Sequence, residues 1–281
     1  PKYKKGDQLT ESLTKEAIKL IQQHKSESPF FLNFWYYCVH NKHGAHKHLV
    51  EKYRDKINRL GIKEEQNRIC PVTKVSLHTT PSYPTYAAMI ESMDNAVGSI
   101  MAEIDAKGID NDTLVIFVSD NGAVRSDAYG NNGELSQGKG QAFEGGIRLP
   151  GIVRWTGRVP AGTVSNQVIA DVDWLPTLAT IAEATPGTTS PLDGMDQSAA
   201  FFDASRNETR PIIVAAQSTY AYLDGLNKVV EDRNGNRSIH NLDTDPGQNS
   251  DLSASQPDLA TSLSSRLDQE LARMRSHFSS N

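Results

Sequence analysis

The run Thr113–Ser119 is apolar almost throughout, and the stretch behind it, Asp120–Gly146, is rich in glycine and poor in large apolar side chains. A short β-branched run without polar alternation fits a strand covered on both faces, the environment of a central parallel strand. The polar stretch would make a poor core. Long ordered loops in compact domains usually carry function or motion. In open α/β sheets, ligands gather beyond the carboxyl ends of strands. This pair of segments therefore constrains both the fold class and the place of a site.

Strand-like and helix-like patterns alternate along much of the chain, which favours an α/β architecture. Leu9, Leu13, Ala17, Ile18 and Ile21 recur at helical spacing, and Pro29 ends that stretch. Phe30–Val39 is nearly continuous in apolar and aromatic residues and is expected as a strand buried on both faces. A His-rich turn, His40–His48, leads into a short helix near Leu49–Ile57, and Gly61–Ser82 lacks a period. Tyr86–Ile104 carries Met89, Met93, Val97, Ile100, Met101 and Ile104 on one helical stripe, with Gly108 placed to cap it. Gly151–Trp155 and Val168–Ala170 are expected strands. Asp171–Ala184 is an expected helix with Pro176 in its first turn.

From about Arg210 the texture changes. Pro211–Ala216, Tyr220–Leu223, Lys228–Glu231 and Ser238–Leu242 are short strands, with turn signals at Asp224-Gly225 and Asn234-Gly235. Leu259, Leu263, Leu267, Leu271 and Met274 mark a closing helix. The expected architecture is a mostly parallel sheet sandwiched by helices over residues 1–205, then a small antiparallel sheet plus helix over 206–281.

Composition removes several function classes. A chain of 281 residues can bury a core without disulfides. Cys38 and Cys70 are too few for a disulfide framework or a Cys-rich zinc site, and whether they pair is left open by sequence. The net charge of −5 is mild and gives no reason to expect nucleic acid or an anionic membrane as a partner. No run approaches the roughly 20 apolar residues that a membrane span needs. The chain opens on Pro1-Lys2-Tyr3-Lys4-Lys5, with neither Met nor a secretory apolar core, which is expected of a processed chain or a piece of a longer one.

Three features could carry chemistry. Ser119-Asp120-Asn121-Gly122 follows the apolar run directly. A carboxylate beside an amide carbonyl offers two hard oxygen ligands suited to calcium or magnesium, although Asn-Gly alone also makes a tight turn. Gly138-Lys139-Gly140 lies before Glu144-Gly145-Gly146-Ile147-Arg148. Its glycines allow close backbone approach, and its Lys is a point charge suited to an oxyanion, or simply a solvated loop residue. The spacing matches no Walker A motif. Among His40, His43, His46 and His48, only His40 ends an expected strand, where it could act as a general acid or an oxyanion donor. The other three fit a loop and a helix start.

In chain order these features resemble the sulfatase family of the alkaline-phosphatase-like superfamily. Pro29–Leu32 through Tyr36–His40 is similar to the family strand that ends in its active-site His, and Tyr86–Gly98 to the family helix that carries Asp94. Phe117–Gly122 resembles the metal-binding turn. Gly138–Gly140 through Glu144–Pro150 is the most specific match. Asp173–Thr177, Leu192–Gly194, Asn241–Pro246 and Asp251-Leu252 resemble later landmarks.

The resemblance implies a sulfuric ester hydrolase, acting on a sulfated small molecule or glycan. Asp120 and Asn121 would ligate a divalent cation, usually calcium. Lys139 would bind a sulfate oxygen and the bridging ester oxygen, and His40 would contact the sulfate and protonate the leaving group. The family nucleophile is a formylglycine made from Cys or Ser in a C/S-x-P/A-x-R motif, which this sequence lacks: Cys70-Pro71-Val72-Thr73-Lys74 has Pro one place early and Lys for Arg. The family's N-terminal Asp metal ligands have no counterpart either. The chain is therefore expected to be the C-terminal part of a sulfatase, without turnover alone. A periplasmic, secreted or lysosomal setting follows only from the family. A phosphodiesterase or phosphonate hydrolase of the same superfamily, or a non-catalytic module on the same fold, is the alternative.

Overall fold

The computed structural model describes residues 8–25, 27–40, 43–62, 83–124, 131–187, 191–217 and 219–279. These fall into two compact units, one made of the residues up to Leu114 and the other of those from Val115 onward. Cys70 and most of the expected 61–82 loop lie outside the described residues.

The first unit is helical. Helix α1 (Leu9–Gln23) and helix α2 (Lys47–Arg59) both pack on the long helix α3 (Tyr83–Ala106). Ala88, Met89, Ala96 and Ile104 bury the α3 stripe, and Gly108 follows at φ +70°, the left-handed conformation expected of a C-terminal cap. The Lys107 ammonium donates to the carbonyls of Gln22 (3.1 Å) and His24 (2.8 Å), placing a cation at the negative end of α1. Lys52 reaches Glu91 at 2.7 Å between α2 and α3.

The α1 face departs from the expected stripe. Leu9 is exposed, whereas Thr10, Thr14, Ala17 and Ile21 are buried. The threonines turn inward because they have polar partners. Thr14 Oγ1 bonds Tyr36 Oη at 3.0 Å and Thr10 Oγ1 meets Cys38 Sγ at 2.8 Å. The same bonds correct the reading of Phe30–Val39. The segment forms no ladder among the described residues. From Phe31 to Cys38 its side chains alternate: Leu32, Phe34, Tyr36 and Cys38 are half-buried, while Phe31 and Trp35 are 77% and 79% exposed. It is an extended segment with one face docked, and a run of aromatic residues hid that period of two.

The second unit holds all the described strands. Strand β1 (Val115–Val118) pairs antiparallel with β2 (Gly151–Arg154). The expected parallel pairing is thus not found among the described strands, and Val168–Ala170 joins no ladder. Between β1 and β2 lies the short helix α4 (Glu144–Ile147). After β2 come α5 (Trp174–Ile181) and the one-turn α6 (Ala199–Phe202). Asp171–Ala184 starts as a 3-10 turn at Asp171–Asp173 before α5, with Pro176 in the first turn as expected.

Strands β3 (Ile212–Ala216), β4 (Thr219–Asp224), β5 (Asn227–Glu231) and β6 (Arg237–Asn241) form the antiparallel meander read from the sequence. Gly225 and Gly235, at φ +60° and +81°, make two of its turns. Helix α7 (Pro257–Ser279) covers one face. Its Leu263, Leu267 and Leu271 pack on Tyr222, Val229 and Ile239. The opposite face, with Ala221, Leu223 and Val230, packs against Ala142, Phe143 and Leu242. The Ala142-Phe143 end of the glycine-rich loop is therefore backed by the sheet.

Candidate active site

The site is built from backbone that passes at van der Waals distance. A bend at Asp120–Gly122 follows β1. The Gly122 amide donates to the Gly146 carbonyl at 3.0 Å, and the Lys139 amide donates to the Ala123 carbonyl at 3.0 Å. Asn132 completes the stitching: its Oδ1 accepts from the Ala123 amide (2.9 Å), and its Nδ2 donates to the carbonyls of Ala123 (3.2 Å) and Gln137 (3.0 Å). The turn carrying Asp120 and Asn121 and the loop carrying Lys139 are one hydrogen-bonded body.

That closeness explains the glycines. A Cβ on Gly122 would lie 1.8 Å from the Gly145 carbonyl oxygen, and one on Gly146 would lie 2.1 Å from that of Gln141. Neither glycine is there for a left-handed φ; each is there because no side chain fits.

Asp120 and Lys139 are exposed on this body, and Asn121 is half-buried. Asn121 Oδ1 is shielded from solvent and has no hydrogen-bond partner among the described residues. A buried amide oxygen left unpaired costs about 1–3 kcal/mol, so it is a conspicuous feature at a turn. Hard cations take carboxylate and amide oxygens, and Asp120 with Asn121 fits that requirement with two donors. No group of three His, Cys, Asp or Glu among the described residues could hold a metal by itself. His40 belongs to the first unit. It is exposed at the turn that ends the extended segment, its amide donates to the Tyr37 carbonyl at 2.9 Å, and its ring lies 5.3 Å from that of Tyr37.

Behind the loop lie groups that the sequence reading gave no role. Lys228 on β5 is 0% exposed, and its ammonium bonds Glu144 Oε1 at 2.6 Å. Burial pushes the Lys228 ammonium below its ordinary pKa, while the Glu144 carboxylate pulls it back up. Gln248, held at φ +52°, accepts the Glu144 amide at 2.6 Å. Thr219 Oγ1 accepts the Ala142 amide at 2.8 Å. The available signal was a Lys on the same strand face as Val230, two residues on, where a solvated residue would be out of place.

The later landmarks are structural as well. The Asp173 carboxylate, fully buried, pairs with Arg210 at 2.5 Å and accepts the amides of Ala170 and Met195. Asn241 Oδ1 accepts the amides of Asp243 and Thr244. Asp251 accepts the Ile239 amide, and Asp245 that of Ser250.

Comparison with known proteins bears on what this body is. The family model described as Sulfatase matches residues 1–184. The chain belongs to the sulfatase family. Steryl-sulfatase from Rattus norvegicus is 31% identical over 195 residues, covering 67% of this chain and 29% of that protein. N-acetylgalactosamine-6-sulfatase from Mus musculus is 32% identical over 192 residues, 67% of this chain and 32% of that protein. Among solved structures, that of Ps i-CgsB in complex with k-i-k-neocarrahexaose superposes with a TM-score of 0.77 at 26% identity, covering 93% of this chain and 54% of that one. The sulfatase chain thus spans about a third of its curated relatives and about half of that solved one. The phosphonate monoester hydrolase of Agrobacterium radiobacter, at 17% identity and a TM-score of 0.60, shares the fold alone.

Proposed function

We propose that the stitched body of residues 120–124 and 131–146 is the metal- and sulfate-binding part of a sulfuric ester hydrolase site. The observation that carries this reading is the shielded Asn121 Oδ1, without a partner among the described residues, on a turn bonded directly to the loop of Lys139. Asp120 and Asn121 would hold a divalent cation, calcium by the family resemblance. When bound, such a cation polarises the oxygens of a transferring sulfuryl group and stabilises its charge. Lys139, exposed on its loop, binds a sulfate oxygen and the bridging ester oxygen. By the family resemblance, His40 would protonate the leaving alcohol; an imidazole is suited to proton transfer near neutral pH.

The substrate class we favour is a sulfated carbohydrate, supported by the relative named for N-acetylgalactosamine-6-sulfate chemistry and by the neocarrahexaose complex. The steryl-sulfatase match supports a sulfate ester without fixing a sugar. The sequence holds no C/S-x-P/A-x-R motif from which a formylglycine nucleophile could be made. We therefore propose that this polypeptide alone binds but does not turn over. An exported or lysosomal setting goes with the family. Among the described residues no helix is long and apolar enough to cross a membrane.

Calcium titration by calorimetry tests the metal reading. Heat of binding should appear for the chain and vanish in Asp120→Asn and Asn121→Ala. Lys139→Met should keep calcium binding and lose inorganic sulfate binding. Absence of calcium binding in the parent chain would overturn the reading. A panel of sulfate, phosphate and phosphonate esters addresses turnover: hydrolysis of a sulfate ester by this chain refutes the no-turnover proposal, and hydrolysis of only phosphorus esters refutes the sulfatase assignment.

A further inference from the structure

Among its described residues, the body that carries Asp120, Asn121 and Lys139 has no regular secondary structure beyond the short helix α4. Something must hold it in one conformation, because a charge displaced by about 1 Å loses much of its value in a site. Its supports can be traced atom by atom. Gly146, in α4, accepts the Gly122 amide beside Asn121, and Gly145 donates to the Ser136 carbonyl at 2.8 Å. Both glycines follow Glu144 directly. Glu144 is fixed at two points: its amide to Gln248 and its carboxylate to the Lys228 ammonium on β5. Ala142, two residues earlier, is fixed to Thr219 on β4. The loop is thus bolted to the small antiparallel sheet on one side and carries the site on the other.

The central bolt is unusual in kind. Lys228 and Glu144 are 0% and 5% exposed, deep within the second unit. Replacing a buried ion pair by apolar residues of similar volume is often neutral or stabilising, so stability alone is a weak reason to keep one. Its distinctive property is direction: a lysine that bonds a carboxylate at 2.6 Å fixes where α4 sits on the sheet. An apolar contact of equal energy allows sliding.

We propose that Lys228 and Glu144 are positioning residues for the candidate site: their buried ion pair registers the loop of Lys139 and the Asp120–Asn121 turn against the sheet. This rests on the proposed function for its consequence in binding, but the mechanical link itself stands apart from it. Gln248 belongs to the same device, since it holds the Glu144 backbone while Lys228 holds the side chain.

The experiment uses the full chain and three variants: Lys228→Met, Glu144→Leu, and the double variant Lys228→Met/Glu144→Leu. Two quantities are read, amide hydrogen exchange by mass spectrometry and calcium affinity by calorimetry, each beside a urea midpoint. Glu144→Leu strands the buried Lys228 ammonium, and Lys228→Met leaves the Glu144 carboxylate only its 3.8 Å approach to Arg148, so each urea midpoint falls. The double variant regains the parent midpoint. In the double variant the amides of Gly122, Lys139, Gly145 and Gly146 still exchange at least about tenfold faster than in the parent, a difference of about 1.4 kcal/mol in local opening. Those of β3–β6 keep the parent rates. Calcium affinity stays at least about tenfold weaker.

A double variant that restores midpoint, loop exchange and calcium affinity together would show the pair to be merely structural and overturn the proposal. If the parent chain binds no calcium, the functional reading fails, and the exchange pattern still decides whether the pair registers the loop. Uniform acceleration over both sheet and loop in the double variant also counts against it.

Discussion

Replacing Gly122 by alanine tests the close approach on which the site rests. The added Cβ would stand 1.8 Å from the Gly145 carbonyl oxygen and 2.9 Å from its carbon. Carbon and carbonyl oxygen settle at about 3.3–3.6 Å, so the turn and α4 must part by roughly 1.5 Å. No flexible side chain is available to yield, because the obstructing atoms are backbone. Parting breaks the Gly122–Gly146 bond and strains the Lys139–Ala123 bond beside it, both now 3.0 Å. Overpacking costs about 1–3 kcal/mol, and each lost hydrogen bond about 1 kcal/mol. Gly122→Ala should therefore destabilise the second unit by about 2–5 kcal/mol. Urea denaturation followed by fluorescence of Trp155 and Trp174, with a parallel calcium titration, reads both effects. Gly98→Ala is the control. That glycine lies inside α3 with nothing within 4 Å of a Cβ, so alanine should stabilise by about 0.5–1 kcal/mol. A Gly122→Ala variant within about 0.5 kcal/mol of the parent, the usual range for neutral surface changes, would refute the steric argument.

Three further outcomes follow from the same structure. Arg210→Met leaves the fully buried Asp173 carboxylate without its cation; unfolding free energy should fall by about 3 kcal/mol in urea titrations. Asn121→Ala removes a shielded acceptor that no donor satisfies among the described residues; in chelator the variant should be as stable as the parent or about 1 kcal/mol more stable. Burial pushes the His240 imidazole below its ordinary pKa, against the Ser250 carbonyl and the nearby Asp251 and Asp245, which pull it up. The folded state then keeps His240 neutral where the unfolded chain takes a proton, so stability is complete above about pH 6.5 and is lost as pH falls below it. Urea midpoints measured from pH 8 to 5 should decline in the parent and flatten in His240→Gln.

The parts of the fold that sequence disclosed are those set by local rules. The β3–β6 meander was legible because its strands are short and glycines mark its turns, and α3 because Met89, Met93, Val97, Ile100, Met101 and Ile104 keep a helical period. The direction of β1 was not legible: Val115–Val118 reads the same beside a parallel or an antiparallel neighbour, and only β2 decides. Phe30–Val39 misled because aromatic residues occupied both its docked and its exposed positions. In the site, Asp120, Asn121 and Lys139 stood out through their glycines, whose need for space is local. Lys228 did not, since a strand lysine reads as solvated until Glu144, far away in sequence, is brought to it.

The alternation along β5 has a further consequence. Lys228 and Val230 face the loop, and Val229 between them faces α7. A slip of one residue in the pairing of β5 would turn the ammonium into the leucine stripe and leave Glu144 opposite an apolar side chain. The Gly225-Leu226 hairpin, with Asp224 opposite Asn227, forbids that slip. Insertions or deletions at this hairpin tip should therefore displace Glu144 and the loop of Lys139 as surely as changes beside them.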